Sequence, residues 1–213
     1  MPVTLWSAPN IFMTRVYEDI VVLDTKADRY ECLVDAAAWL DVGHDGRLNV
    51  SDQPMARQLI EAGFASDHRQ PPRPKLLSPH RAVEPSQPRS RSDMLRAGLI
   101  LASATAAFRS RSLQELIASQ RQATASSTPP DELRLSELVG AARTVAPFIP
   151  LEGECLQRAY LLRHLLWREG FEPRWIFGVR SWPFGAHCWL QIDDLIVGDT
   201  LDRVGFYTPI MAA

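Results

Sequence analysis

Residues 152–170 have the sequence EGECLQRAYLLRHLLWREG, which is the most strongly helical segment of the chain. Gly170 is typical of the residue that ends a helix, so we predict a helix over residues 152–169. Small and apolar residues recur along this segment at positions that fall on one helical stripe. The residues on the stripe are Cys155, Ala159, Leu162 and Leu166. The spacing therefore predicts that Cys155 lies in the first turn and points inward.

The segments on both sides of this helix indicate an α+β domain over residues 93–213. After Gly170, apolar runs of strand character are separated by a polar turn at Asp193-Asp194. The predicted strands span residues 174–179, 187–192 and 195–198. Before the helix, helical periodicity covers residues 93–122 and 132–146. The first of these has a predicted apolar stripe made of Leu95, Leu99, Ala102 and Ala106. Helices followed by strands that pair through a tight turn predict an antiparallel sheet.

Residues 1–66 have the pattern of a small separate module. Residues 14–23 and 29–34 are rich in Val, Ile, Tyr and Leu and predict two strands of a hairpin, joined by a polar turn. Residues 35–40 predict a short helix, and a second helix over residues 54–62 ends at a glycine. Two or three strands with two or three helices predict a winged-helix-like module.

The net charge of −2 is the sum of three unlike segments. Residues 1–66 carry −5, residues 67–92 carry +4 and residues 93–213 carry −1. The middle segment holds six of the 16 prolines and no aromatic residue, so it cannot bury enough apolar surface to fold alone and is predicted to be an extended linker. A chain without an overall basic excess is not a general nucleic-acid binder.

Several locations and chemistries are also disfavoured. No apolar run reaches the roughly 20 residues that a membrane span needs, and the first residues lack the basic and apolar regions of a signal peptide. We therefore expect a cytoplasmic protein whose three cysteines are free thiols. The chain has no phosphate-binding loop, and its cysteines and histidines are not spaced as zinc ligands, so we expect no metal site and no cofactor.

Cys155 has the features of a catalytic thiol. The positive end of a helix dipole favours a thiolate, and a nucleophilic thiolate needs a base and an orienting group. Of the five histidines, three lie outside the C-terminal domain, and His164 faces the opposite side of the helix. His187 and Asp199 lie equally far before and after the polar turn, so antiparallel pairing brings them side by side. We predict that Cys155, His187 and Asp199 form a catalytic triad.

The neighbours of His187 alternate along its strand. Trp189 shares the strand face of His187 and is predicted to wall the catalytic cleft. Cys188 faces the opposite side by the same alternation, so it is predicted to be a packing residue. Cys32 lies in a predicted strand and is also assigned to packing.

A helix-borne Cys155, a His-x-Trp strand beginning at His187 and Asp199 on the neighbouring strand resemble the transglutaminase-like, papain-like cysteine-protease superfamily. The whole chain resembles the lasso-peptide maturation B proteins. That resemblance implies that residues 1–66 are a leader-recognition element related to the pyrroloquinoline-quinone D-type winged helix, and that residues 93–213 are a leader peptidase. It implies the roles of nucleophile, general base and orienting group for the three residues, and a separate ATP-dependent cyclase that closes the ring on the released core.

The resemblance makes the leader of a ribosomally made precursor peptide the expected partner. The module would capture it as an added strand on an edge whose residues are Arg29, Tyr30, Glu31, Cys32, Leu33 and Val34, and the acidic module favours a basic leader. Two alternatives stay open. One is an acyl transferase of the transglutaminase type, which passes the same thioester to an amine. The other is a peptide-binding adaptor with a vestigial triad.

Overall fold

The computed structural model describes residues 2–71, 73, 77–118, 130–149 and 155–213. The predicted helix start at residue 152 and the helix end near residue 122 lie outside these residues. The described chain contains both strands and α-helices. They are β1 (Val3–Ser7), β2 (Ile11–Val16), β3 (Asp19–Asp24), β4 (Arg29–Leu33), β5 (Leu40–Val42), β6 (Arg47–Val50), α1 (Gln53–Glu61), β7 (Ala65–Ser66), β8 (Arg81–Ala82), α2 (Arg91–Arg109), α3 (Leu113–Ala118), α4 (Glu132–Val145), α5 (Cys155–Arg168), β9 (Arg174–Arg180), β10 (Gly185–Ile192), β11 (Leu195–Val197), α6 (Leu201–Val204) and β12 (Thr208–Ala212).

The chain forms two compact units. The first unit contains Met1–Leu76, Gly178–Ala186 and Tyr207–Ala212, and the second contains Leu77–Phe177, His187–Phe206 and Ala213. Helices and antiparallel strand pairs occur together, so the α+β prediction is confirmed. The first unit is discontinuous, because it joins the N-terminal residues to two later pieces of the chain.

The N-terminal residues of the first unit form two small sheets, with strand orders β5-β6-β1-β7 and β2-β3-β4. The single strand predicted over residues 14–23 is two strands, β2 and β3, which pair antiparallel with Val16 opposite Asp19. Tyr17 adopts a left-handed backbone conformation with φ of 57°, and this reverses the chain at Tyr17-Glu18, between two apolar segments. The predicted hairpin of β3 and β4 is confirmed.

One α-helix and one 3-10 turn accompany seven strands among the described residues of 1–66. The helix α1 begins after Asp52, whose side chain accepts a hydrogen bond from the backbone N–H of Met55, as an N-cap does. The short helix predicted over residues 35–40 is a 3-10 turn at Ala36–Ala38 followed by a strand. The α+β character of the module is present, and its winged-helix topology is not confirmed.

Residues 178–186 of the first unit carry a hairpin tip with two aromatic contacts. The indole Nε1 of Trp182 donates a hydrogen bond of 2.9 Å to Oδ2 of Asp19, whose other carboxylate oxygen accepts the backbone N–H of Asp35. Asp19 is 5% exposed, so these donors satisfy a carboxylate that is buried. The ring of Phe184 lies 5.7 Å from the ring of Tyr30 on β4.

The helices of the second unit pack through a face of small side chains. Helix α2 contacts α4 and α5, and its buried residues are Ala97, Leu101, Ala104 and Thr105. The stripe predicted for this helix is wrong, since Leu95 and Leu99 are 68% and 66% exposed. Small residues allow close approach of two neighbouring helices, and periodicity alone does not say which of two apolar stripes is covered. No helix among the described residues is long and apolar enough to cross a membrane.

A charged cluster joins three helices of this unit. Arg134 on α4 bonds Asp93 on α2 at 2.9 Å and Glu169 after α5 at 2.8 Å. These side chains are largely shielded from water, where charge-assisted hydrogen bonds are stronger than at an open surface.

The sheet of this unit contains β9, β10, β11 and β8 in that order. The predicted strands over residues 174–198 are confirmed as β9, β10 and β11. Strand β8 comes from the stretch predicted to be an extended linker, and it pairs parallel to β11 with Arg81 opposite Leu195. The Arg81 side chain bonds Asp194 at 3.0 Å and Glu132 at 2.6 Å. Residues 81–83 therefore add an ordered edge to the sheet.

Gly140 on α4 should not tolerate a side chain. A Cβ at this position would fall on the backbone carbonyl oxygen of Ser86, so we expect Gly140→Ala to destabilise the protein by about 1–3 kcal/mol. Gly98 on α2 has nothing within 4 Å of its Cβ position, and Gly98→Ala should stabilise by about 0.5–1 kcal/mol. Urea unfolding measures both free energies, and a stabilising Gly140→Ala would contradict the close packing of Ser86 on α4.

Candidate active site

Cys155 is the first residue of α5. It is partly buried, and Ala159 and Leu166 on the same helical stripe are buried, so the predicted inward direction of the stripe is confirmed. The N–H groups of a first helical turn have no partner within the helix, and they favour negative charge at this position. The helix therefore places a thiol at its positive end and holds it against the sheet.

The sheet supplies the next two side chains. Strands β10 and β11 pair antiparallel across the turn at Asp193, with Leu190 opposite Val197. His187 precedes this paired region, and Asp199 follows it. Their side chains meet, with 2.5 Å between His187 Nε2 and Asp199 Oδ2. The two side chains are 4% and 14% exposed, so water weakens this contact little.

His187 also forms a hydrogen bond with Cys155. Because Nε2 is occupied by Asp199, Nδ1 is the ring nitrogen left for the sulfur atom. Burial by itself lowers the pKa of His187, but hydrogen bonds with Asp199 and Cys155 outweigh it and raise that pKa to about 9. Burial raises the pKa of Asp199, and the hydrogen bond from His187 overcomes it, so that the pKa lies below its ordinary value.

The thiol of Cys155 has a strongly lowered pKa, about 4. The largest cause is a hydrogen bond with the thiol of Cys188, which acts against burial. Hydrogen bonds with His187 and with the backbone N–H of Cys188 lower the pKa further. Near neutral pH the arrangement therefore holds a thiolate next to an imidazolium, which is the reactive form of a nucleophilic cysteine.

Cys188 is buried, as predicted for a packing residue, and it also contacts the candidate site. Its thiol contacts Cys155 and has a pKa raised well above the ordinary value, first by that hydrogen bond and then by burial. Alternation correctly describes the side-chain directions of a strand. Alternation does not exclude a contact with Cys155, because the sulfur atom of Cys155 lies within reach of the backbone N–H of Cys188.

The three predicted catalytic residues line one cavity of about 600 Å³ in the second unit, together with Cys188 and Trp189. Trp189 is 2% exposed, and its ring stacks on His187 with 6.2 Å between the ring centres. It therefore lies beside the imidazole and forms part of the cavity wall, as predicted. The structure brings these side chains together, and their catalytic roles remain a prediction.

The predicted leader-binding residues, Arg29 to Val34, lie in the first unit. Arg29–Leu33 form β4, which stands at the end of the β2-β3-β4 sheet. Val34 is 60% exposed, and Arg29 is paired with Glu31 at 2.8 Å. Cys32 is exposed, so its assignment to packing is wrong: β4 leaves one face uncovered. The sequence prediction did not include Trp182 and Phe184, and the available signal was the pair of aromatic residues on either side of Pro183.

The other candidate groups lie apart from the triad. His164 lies in tilted ring contacts with Tyr160 and Trp167 on the far side of α5, and burial followed by nearby arginine charges lowers its pKa. Among the described residues, no three His, Cys, Asp or Glu side chains are grouped so as to hold a metal ion.

A comparison with protein-family models matches residues 98–212 to the transglutaminase-like superfamily. The matched region contains Cys155, His187 and Asp199. Searches of curated proteins and of solved structures found no match. A mixed helix and sheet domain that places a thiol, an imidazole and a carboxylate in one cavity is suited to cysteine-peptidase or acyl-transfer chemistry. Since the family match spans more than half of the chain, the protein belongs to the transglutaminase-like superfamily.

Proposed function

We propose that this protein is a cysteine peptidase that removes the leader from a ribosomally made lasso-peptide precursor. The observation that carries the proposal is the chain of contacts from Cys155 through His187 to Asp199 inside one cavity. The resemblance of the whole chain to lasso-peptide maturation B proteins is the reason for proposing this substrate. Ring closure on the released core is left to a separate ATP-dependent cyclase.

The proposed reaction passes through a thioester. The Cys155 thiolate attacks the carbonyl carbon at the leader–core junction, and the imidazolium of His187 gives its proton to the amine nitrogen as the C–N bond breaks. Neutral His187 then takes a proton from water, whose oxygen attacks the thioester. The C–S bond breaks, the leader leaves as a free acid and Cys155 returns as a thiolate. Asp199 keeps the imidazole in its orientation throughout.

The position of β4 at the end of the β2-β3-β4 sheet supports leader capture by strand addition. An edge strand offers unpaired N–H and C=O groups to an extended peptide. Here Tyr30 and Phe184 form an aromatic pair beside that edge, and Trp182 and Val34 are 74% and 60% exposed. These side chains form an apolar surface on which alternate side chains of an added strand can pack. We propose this edge as the leader-binding site.

Removing the apolar side chain at the end of this edge should weaken leader binding. We expect Val34→Ser to reduce the affinity several-fold, since burying a valine contributes about 1.5–3 kcal/mol at most. Tyr17→Ser is a matched control, because Tyr17 is also exposed (81%) but lies in the turn between β2 and β3. Fluorescence anisotropy with a labelled leader peptide measures both. Equal affinities for the two variants would contradict the proposed position of the leader.

Mass spectrometry of a precursor digest tests the reaction itself. Hydrolysis gives a free leader acid and a free core amine, whereas acyl transfer to an added amine gives a leader amide. An adaptor with a vestigial triad gives neither product, and its Cys155 would react with iodoacetamide at pH 6 no faster than an ordinary thiol. The proposed function requires the free acid as the main product.

A further inference from the structure

Three arginines line the cavity that contains Cys155. They come from three different helices, with Arg143 on α4, Arg158 on α5 and Arg203 on α6. All three are exposed at the cavity rim. The positive charge therefore surrounds the cavity and does not come from the surface of a single helix.

In the described part of the chain none of these guanidinium groups lies within ion-pair distance of a carboxylate, although the charge of Arg203 helps to lower the pKa of Asp199. The ion pairs formed by described residues do not include Arg143, Arg158 or Arg203. Asp199 is the single acidic residue among the described residues that line the cavity, and its carboxylate is engaged by His187. Among the described residues, the rim therefore carries more positive than negative charge close to Cys155.

The rest of the cavity wall is apolar, with Leu162, Val197 and Trp189 among its lining residues. Apolar walls under a charged rim suit a peptide that packs its backbone and apolar side chains inside and places carboxylates at the rim. We propose that the peptide segment bound next to the scissile bond carries aspartate or glutamate side chains, which the three arginines recognise. This inference rests on the proposed peptidase function and names the substrate class of the same site.

Charge complementarity of this kind contributes more to the discrimination between substrates than to affinity. Each exposed ion pair contributes little because water and salt screen it, but three arginines around one cavity act together on the same segment. We therefore expect an acidic peptide to bind with a dissociation constant in the millimolar range. Its affinity should fall as salt is raised, and binding should be lost when the carboxylates are replaced by amides.

The test measures how peptides protect Cys155 from iodoacetamide, with alkylation at Cys155 quantified by mass spectrometry at constant ionic strength. The probes are N-acetylated tetraglutamate and tetraglutamine at a few millimolar. We expect tetraglutamate to slow alkylation about fivefold at low salt and tetraglutamine to have almost no effect. In a variant with Arg143→Gln, Arg158→Gln and Arg203→Gln, the protection should disappear. Arg57→Gln on α1, which does not line the cavity, should retain it.

Each other outcome overturns the inference. Equal protection by the two peptides would show that backbone contacts alone govern binding, and unchanged protection in the triple variant would place the acidic peptide elsewhere. Because each rate is compared with the rate of the same variant without peptide, a change in thiol reactivity does not imitate a loss of binding. The result is also separate from the peptidase proposal, since protection needs no cleavage and cleavage of a neutral precursor would leave the peptidase proposal intact.

Discussion

A Cys155→Ala variant is expected to leave the precursor peptide uncut, with a cleavage rate at least about 10³-fold below that of the wild type. The thiolate is the only proposed nucleophile, and without it neither His187 nor Asp199 has a group to activate. Cys155 is partly buried, and removing one sulfur atom leaves the packing of α5 nearly intact. A time course followed by liquid chromatography and mass spectrometry, on the full chain and its precursor, measures the loss.

Leader affinity is the control for this variant. We expect Cys155→Ala to bind a labelled leader peptide as tightly as the wild type does, since β4 belongs to the first unit. Cys155→Ser should behave in the same way, because a hydroxyl has no accessible anionic form near neutral pH. If Cys155→Ala still released the free leader acid at the wild-type rate, the mechanism would have to be abandoned.

The second large effect concerns pH. With the pKa of Cys155 at about 4 and that of His187 at about 9, the thiolate–imidazolium pair exists between those limits, so cleavage should fall below about pH 4 and above about pH 9. Asp199→Asn removes the hydrogen bond and the charge that raise the pKa of His187. The upper limit should therefore move down toward the ordinary histidine value of about 6.5, because the imidazolium is lost as pH rises through its lowered pKa.

The His187→Ala variant tests the lower pH limit, which is set by the pKa of Cys155. Removing the hydrogen bond and positive charge of the imidazole should raise the pKa of Cys155 toward its ordinary value of about 8.5, so that alkylation by iodoacetamide begins at a higher pH. The pH dependence of the alkylation rate at Cys155 and of kcat/KM measures the two limits. Asp202→Asn, which removes an exposed carboxylate three residues after Asp199, should leave both limits unchanged. A wild-type upper limit in Asp199→Asn would show that Asp199 does not govern His187.

The arrangement of the candidate site could be predicted because it depends on local rules. A two-residue polar turn fixes how far His187 and Asp199 lie from each other along paired strands, and helical spacing fixes the direction of Cys155. Neither rule needs knowledge of distant contacts. The structure agrees with both, as the 2.5 Å contact of His187 with Asp199 shows.

The predictions that failed concern features that depend on tertiary contacts. The exposure of Leu95 and Leu99 on α2 depends on which face α4 and α5 cover. Strand β8 is formed by a parallel neighbour, β11, that lies more than 110 residues later in the chain. The turn at Tyr17 places a bulky residue in a backbone conformation that its type disfavours, so the break between β2 and β3 was missed although Glu18 and Asp19 interrupt the apolar run.

The hydrogen bond between Trp182 and Asp19 limits which segments of this protein can be exchanged with those of a relative. Residues 178–186 and 207–212 complete the first unit, although the family match assigns them to the transglutaminase-like region. Transplanting residues 1–66 onto a relative would bring Asp19 and Tyr30 without Trp182 and Phe184. Residues 1–66 are therefore not an interchangeable module, and a chimera would need all the pieces of the first unit from the same parent.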